Sequence, residues 1–221
     1  MGVMDINFYF LGSRNYVNGL SIFEEMLKTY LQSCGADLSH ISKIKTFKIN
    51  KFVQNNSWIE LYKPAEIRKN QKIRKASARL DLLTDRDQIS ILLFEKNDPV
   101  KTRLKEYDRG QYLAKLSHFP DDSSIAEIIN FADIFELMRG IIEANFRFVN
   151  EKAAQIGKTG SASWAYLSNF DFFEMANAPS KLTACFKFDS TYEAYQKFFI
   201  IRSLHIEKFQ ENTISEICFF V

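Results

Sequence analysis

Apolar residues recur at three- and four-residue spacing across residues 20–31. Leu20, Phe23, Leu27, Tyr30 and Leu31 fall into one stripe, which predicts an amphipathic helix. An apolar strand at residues 8–11 and a polar elbow, Ser13-Arg14-Asn15, lead into it, and Cys34-Gly35 supplies its stop. Residues 41–53 mix β-branched and aromatic side chains with Lys43, Lys45, Lys48 and Lys51, the pattern of a strand with one wet face. Gln54-Asn55-Asn56-Ser57 turns the chain into a strand at 58–62, and Pro64 ends it. Residues 78–83 and 88–95 form another hairpin about Thr84-Asp85-Arg86-Asp87.

Asn97-Asp98-Pro99 breaks the pattern, and the charged residues 101–108 cross the surface. The order then repeats. A short strand at 111–118 meets an elbow at 118–124, and a long apolar helix is predicted over 125–150. Ser123 or Ser124 would cap it, with Glu127 near the third position. Ile128, Ile129, Ala132, Phe135, Met138, Ile142, Phe146 and Val149 keep helical spacing. Four strands follow: 162–175, 181–188, 192–206 after a turn at Asp189-Ser190-Thr191, and 213–221. Strand, helix and four strands occur twice, which predicts an α+β chain with halves 1–100 and 101–221. In each half one helix covers a mainly antiparallel sheet. The alternative is one large antiparallel sheet with two helices, closed as a ligand-holding cup.

Composition narrows the partners. A net charge of +2 implies no global pull towards nucleic acid or membrane. Phe occurs 21 times, which suits strands and the walls of an apolar pocket. Cys34, Cys185 and Cys218 lack metal-site spacing and read as free thiols in a reduced compartment. The N-terminus lacks the pattern of a signal peptide. No run reaches the ~18 apolar residues of a membrane span. Ile6 stands where a myristoylation signal needs Ser or Thr. The expected location is the cytoplasm.

Asn18 and Gly19 fall where the first helix starts. There amide groups lack intrahelical partners and the dipole is positive, so a carbonyl would be polarised. Glu24 and Glu25 follow within two turns. Neighbours on a helix diverge by ~100°, so only one can face a pocket, and the other reading leaves both as solvated surface charges. The run Val17-Asn18-Gly19 followed by Phe23-Glu24-Glu25 resembles the "VNN…FEE" start of the central helix in the 4-hydroxybenzoyl-CoA-type thioesterase branch of the hotdog superfamily. That resemblance implies that Asn18 orients the thioester and that Glu24 or Glu25 activates water.

His118-Phe119-Pro120 resembles the "GHFP" elbow of β-hydroxyacyl-ACP dehydratases, hotdog proteins too. It implies His118 as general base with an acidic partner on the next helix. Here Ser117 replaces the Gly, Ala132 falls at the position of the acid, and Asp133 lies one residue beyond. Aromatics such as Phe131 and Phe135 would line the acyl tunnel. Arg14 and Tyr16 flank the first elbow, where they meet an acyl carbonyl or a phosphate, or else form a structural pair. Between 63 and 79, Lys63, Arg68, Lys69, Lys72, Arg74, Lys75 and Arg79 stand against Glu66 alone. Such a run suits the phosphates of coenzyme A, an acidic carrier protein, or simple solvation.

The two resemblances together imply a double hotdog, with two long helices each wrapped by a curved antiparallel sheet. They imply an enzyme of acyl-CoA or acyl-ACP thioesters, dehydratase-like or thioesterase-like, in fatty-acid or polyketide-type metabolism, with dehydration favoured because His118-Phe119-Pro120 precedes a predicted helix as that family requires. Catalysis would fall to His118 and Asp133, or to Asn18 and Glu24. Arg14, Tyr16, Gly19, Phe131, Phe135, Arg74 and Lys75 would hold the substrate. No separate cofactor or metal is expected, since coenzyme A or phosphopantetheine arrives as part of the substrate. Acyl carrier protein is the expected partner, nucleic acid is not, and homo-oligomerisation stays open. The competing class is a non-catalytic hotdog module that binds an acyl or other hydrophobic ligand. The replaced Gly and the displaced acid favour that class.

Overall fold

The computed structural model describes residues 3–67, 71–105, 108, 111–119, 123–158, 163–171, 181–194, 197–206 and 214–220. The chain divides into two compact units, Met1–Tyr107 and Asp108–Val221. Arg68, Lys69 and residues 120–122 lie outside the described residues, as do the side chains of Lys72, His118 and His205.

The first unit begins with strands Met4–Ile6 (β1) and Phe10–Leu11 (β2), followed by helix Gly19–Cys34 (α1). Strands Ile41–Ile49 (β3) and Asn55–Tyr62 (β4), a helical turn Pro64–Ile67 (α2), strands Ala78–Thr84 (β5) and Gln88–Pro99 (β6), and a short Arg103–Leu104 (β7) complete it. The sheet order is β1-β4-β6-β5-β3, antiparallel throughout. The stripe expected for α1 is buried: Leu20, Phe23, Leu27, Tyr30 and Leu31, with Ile22 and Met26. It packs on the sheet face made by Phe47, Leu80, Leu82, Ile91 and Leu93, and the rings of Phe23 and Phe47 meet edge-on at 5.3 Å. Gly35 ends the helix in the left-handed region at φ 61°, which glycine adopts without strain. On β3 the buried residues are Ile41, Ile44 and Phe47, three apart rather than two. Register shifts between Ile41 and Lys43 and between Ile44 and Thr46 each admit an extra residue and keep the apolar side chains inward.

The second unit opens with a hairpin, Leu113–His118 (β8) and Ser123–Ile129 (β9), ahead of helix Ile134–Gln155 (α3). Strands Ser163–Asp171 (β10), Lys181–Ala194 (β11), Lys197–Ile206 (β12) and Ile214–Phe220 (β13) follow. Its sheet order is β10-β13-β12-β11-β9-β8. The repeat is therefore loose: a hairpin replaces the single leading strand, and β11, β12 and β13 run as a meander.

Two expectations are corrected here. Residues 123–129 form a strand, not the start of a helix, and neither Ser123 nor Ser124 caps one. Ser124, Ala126 and Ile128 alternate inward, and pairing with both β8 and β11 fixes the period at two. Asn130 then takes φ 57°, a conformation Asn tolerates, and the helix begins four residues later. Asp189 is not in a turn. It is the extra residue of a register shift between Phe188 and Ser190, so β11 runs on to Ala194. Among the described residues no helix is long and apolar enough to cross a membrane.

Candidate functional site

The elbow before α1 is held from outside. Phe10 and Leu11 pair in parallel with Arg103 and Leu104. The Arg103 guanidinium donates to the carbonyls of Gly12 and Arg14, the latter at 2.7 Å, and lies 5.4 Å from the Phe10 ring centroid. Gln54 Nε2 donates to the Asn15 carbonyl at 3.2 Å, and the Val17 amide to the Val53 carbonyl at 2.8 Å. Half-buried Tyr16 meets the exposed Phe52 ring at 4.9 Å beside the helix end. Arg14 is half-buried, and its Nη1 donates to the Leu11 carbonyl at 3.4 Å.

Asn18 caps α1. Its Oδ1 accepts from the Leu20 amide at 2.9 Å and its carbonyl from the Ile22 amide at 3.0 Å. Helix geometry gives the Gly19 and Ser21 amides no carbonyl partner within α1. Ser21 is 1% exposed, and among the described residues its hydroxyl has no hydrogen-bond partner.

The two glutamates separate. Glu24 binds Lys28 at 2.6 Å, one turn on. Burial pushes the Glu25 carboxyl above the usual range; the Glu24 charge adds to the rise and Lys28 opposes it. Seven residues of helix bring Glu25 back to within about 20° of the Asn18 direction, whereas Glu24 points roughly 120° away. Asn18, Ser21 and Glu25 thus fall along one side of α1 at its start. Both glutamates are partly buried, the Glu24 side chain being 14% exposed. The seven-residue interval from Asn18 was the one sequence signal available.

The second expected pair is not brought together. His118 ends β8 opposite Ser124, and Ser124 is opposite Phe186 on β11, whose ring lies 5.8 Å from that of Phe148. Asp133 is at the other end: it caps α3, its Oδ1 accepting from the Phe135 and Glu136 amides at 2.9 Å each. Glu136 Oε2 accepts from the Ala132 amide at 2.6 Å. Tyr112 anchors this end, its carbonyl accepting from the Ile129 amide at 2.8 Å and its hydroxyl 3.5 Å from Glu136 Oε1. Fifteen residues of helix separate Asp133 from Phe148, so the two ends are roughly 20 Å apart. Phe131 and Phe135, both buried, lie at the Asp133 end.

The basic segment folds over the other face of the first sheet. Ala76, Leu92 and Phe94 form a small core there with Trp58, Tyr62 and Ile73, while Arg74 and Lys75 are exposed. Leu92 and Phe94 alternate with Ile91 and Leu93 on β6, so this face is turned away from α1. Among the described residues no cluster of His, Cys, Asp or Glu is arranged to hold a metal ion.

No family model and no curated protein matches the sequence. Solved structures do. The dehydratase domain of RzxB from Pseudomonas fluorescens aligns over 97% of this chain and 87% of its own, with TM-score 0.53 at 11% identity. The pyran synthase domain from module nine of the sorangicin pathway aligns over 99% and 91%, with TM-score 0.54 at 9% identity. At such identities the likeness is one of fold, and the fold is that of the hotdog proteins.

Proposed function

We infer that the chain acts on acyl thioesters, and that the chemistry at the N-terminus of α1 is hydrolysis with Glu25 as general base. The observation that carries this reading is the Glu25 carboxyl, raised by burial and aligned with the helix end that Asn18 caps. Gly19 and Glu25 are about 9 Å apart along the axis, and helical side chains lean towards the N-terminus, which shortens the gap. A thioester carbonyl at the helix end accepts from the free amides of the first turn, and the dipole favours its oxyanion. The Glu25 carboxylate takes a proton from water as the water oxygen bonds to the carbonyl carbon. Collapse breaks the carbon–sulfur bond, and the proton returns to the leaving thiolate, giving a carboxylic acid and a thiol. Arg14, Tyr16 and Phe52 flank the entrance. Coenzyme A or phosphopantetheine enters as part of the substrate.

A second reading is dehydration. It is favoured by the similar solved structures, one a dehydratase domain and the other a pyran synthase domain. His118 would be the base, with a partner other than Asp133, whose oxygen is committed to the α3 cap. In either reading the carrier meets the outer face of the first sheet. There Lys48 stands opposite Arg79 in register, beside exposed Arg74 and Lys75.

Incubation with acyl-CoA and acyl-ACP thioesters, read by mass spectrometry, tests this. Free acid and thiol are the expected products. An enoyl thioester would move the chemistry to His118. Binding without product would leave the non-catalytic module.

A further inference from the structure

The residues between β2 and α1 form neither ladder nor helix, so their backbone groups depend on partners from elsewhere. The segment that closes the first unit supplies several. The Thr102 and Leu104 carbonyls accept from the Phe10 and Gly12 amides at 3.0 and 2.9 Å. Between them, Arg103 Nη1 donates to the carbonyls of both Gly12 and Arg14, 91 and 89 residues away in sequence. Gly12 sits at φ 59°, where glycine turns the chain without strain. The Phe10 ring, 5.4 Å from the guanidinium, fixes its plane. Arg103 is itself exposed, so these bonds add little to global stability. What they fix is local: the path of the chain through Arg14 to Tyr16. Beyond Tyr16 the chain is anchored independently. Val17 is 2% exposed, its amide donates to the Val53 carbonyl, and Asn18 caps α1. Loss of the Arg103 bonds therefore reaches residues 12–16 and stops short of Asn18 and Glu25.

We propose that Arg103 is a positioning residue for substrate entry: by holding the Arg14 carbonyl it places Arg14 to meet a phosphate of the incoming thioester. Coenzyme A and phosphopantetheine both carry phosphate, whereas pantetheine does not. A guanidinium binds phosphate through a planar fork of donors, so the direction from which Arg14 approaches matters as much as its charge. A lysine at position 103 keeps the charge and the donors but loses the flat face on Phe10, and so restores most of the effect rather than all of it. This inference rests on the acyl-thioester reading and adds a residue that acts on binding, not on the chemical step.

The test is the kinetics of thiol release by the full chain from decanoyl-CoA, decanoyl-phosphopantetheine and decanoyl-pantetheine. Arg103→Leu should raise KM for the two phosphate-bearing thioesters by about 10-fold with kcat unchanged, the signature of lost ground-state binding. It should leave KM for the pantetheine thioester as in wild type, and Arg103→Lys should recover most of the loss. In an Arg14→Leu background Arg103→Leu should add nothing, because it acts through Arg14. A rise confined to decanoyl-CoA supports the proposal with the nucleotide phosphates as the group bound. An unchanged KM, an equal rise for the pantetheine thioester, a fall in kcat instead, or additive effects in the double variant overturns the proposal and leaves the acyl-thioester reading standing. No thiol release by wild type from any of the three overturns both.

Discussion

Glu95 collects donors from a whole corner of the first unit. Its Oε1 accepts from the amides of Gln54 and Asn55 at 2.8 and 3.2 Å and from Asn55 Nδ2 at 3.2 Å. Its Oε2 accepts from Ser77 Oγ at 3.2 Å and pairs with Lys51 at 2.8 Å. Burial alone pushes the carboxyl up, but Lys51 and the two amides outweigh it and hold the carboxyl below its usual value. A folded-state pKa below the unfolded one adds stability that is present above about pH 4.3 and is lost as pH falls through the depressed value. Urea unfolding against pH should show this loss, and Glu95→Gln should remove it while costing about 1–3 kcal/mol at neutral pH. Glu25 has the opposite sign: its raised pKa stabilises the fold below the unfolded value, and that stability fades as pH rises. Glu25 thus costs the fold stability as pH rises, whereas Glu95 adds to it.

At the scale of elements, Asp133 belongs to the start of α3. Asp133→Ala should destabilise the chain by about 0.5–2 kcal/mol, whereas Asn, an equally good cap, should be near neutral in both thermal unfolding and turnover. A large loss of turnover in Asp133→Asn with unchanged stability would return the residue to the chemistry. Much of this architecture was legible in the chain. The α1 stripe is long enough for its period to be unambiguous, and Gly35 marks its end. Residues 123–129 were not legible in the same way, because Ile125, Ile128 and Ile129 keep helical spacing, although in the strand Ile128 faces inward and the other two face away. Only pairing to strands on both sides decides for the strand. Asp189 misleads for a related reason: polar residues favour turns and bulges alike, and the partner register of β12 selects the bulge. The elbow motif at His118 showed where the chain turns, but a motif does not show how far the next helix lies from it.

For the molecule as a whole, a net charge of +2 makes electrostatics local. Arg74 and Lys75 reversed together to Glu should weaken binding of acyl-CoA or an acyl carrier protein, and wild-type affinity should fall with salt. Unchanged affinity at low and high salt would leave the segment a solvated loop. Each unit carries a helix, α1 or α3, and a mainly antiparallel sheet. On the first of these helices a carboxylate raised by burial lies two turns along from the Asn18 cap. The direct test is the rate of thiol release from an acyl thioester by wild type and by Glu25→Gln, with folding checked by circular dichroism. A drop of roughly 10²–10⁴-fold with the fold intact is predicted, the range for a general base. Release at the wild-type rate by Glu25→Gln would contradict the assignment of the chemistry to α1.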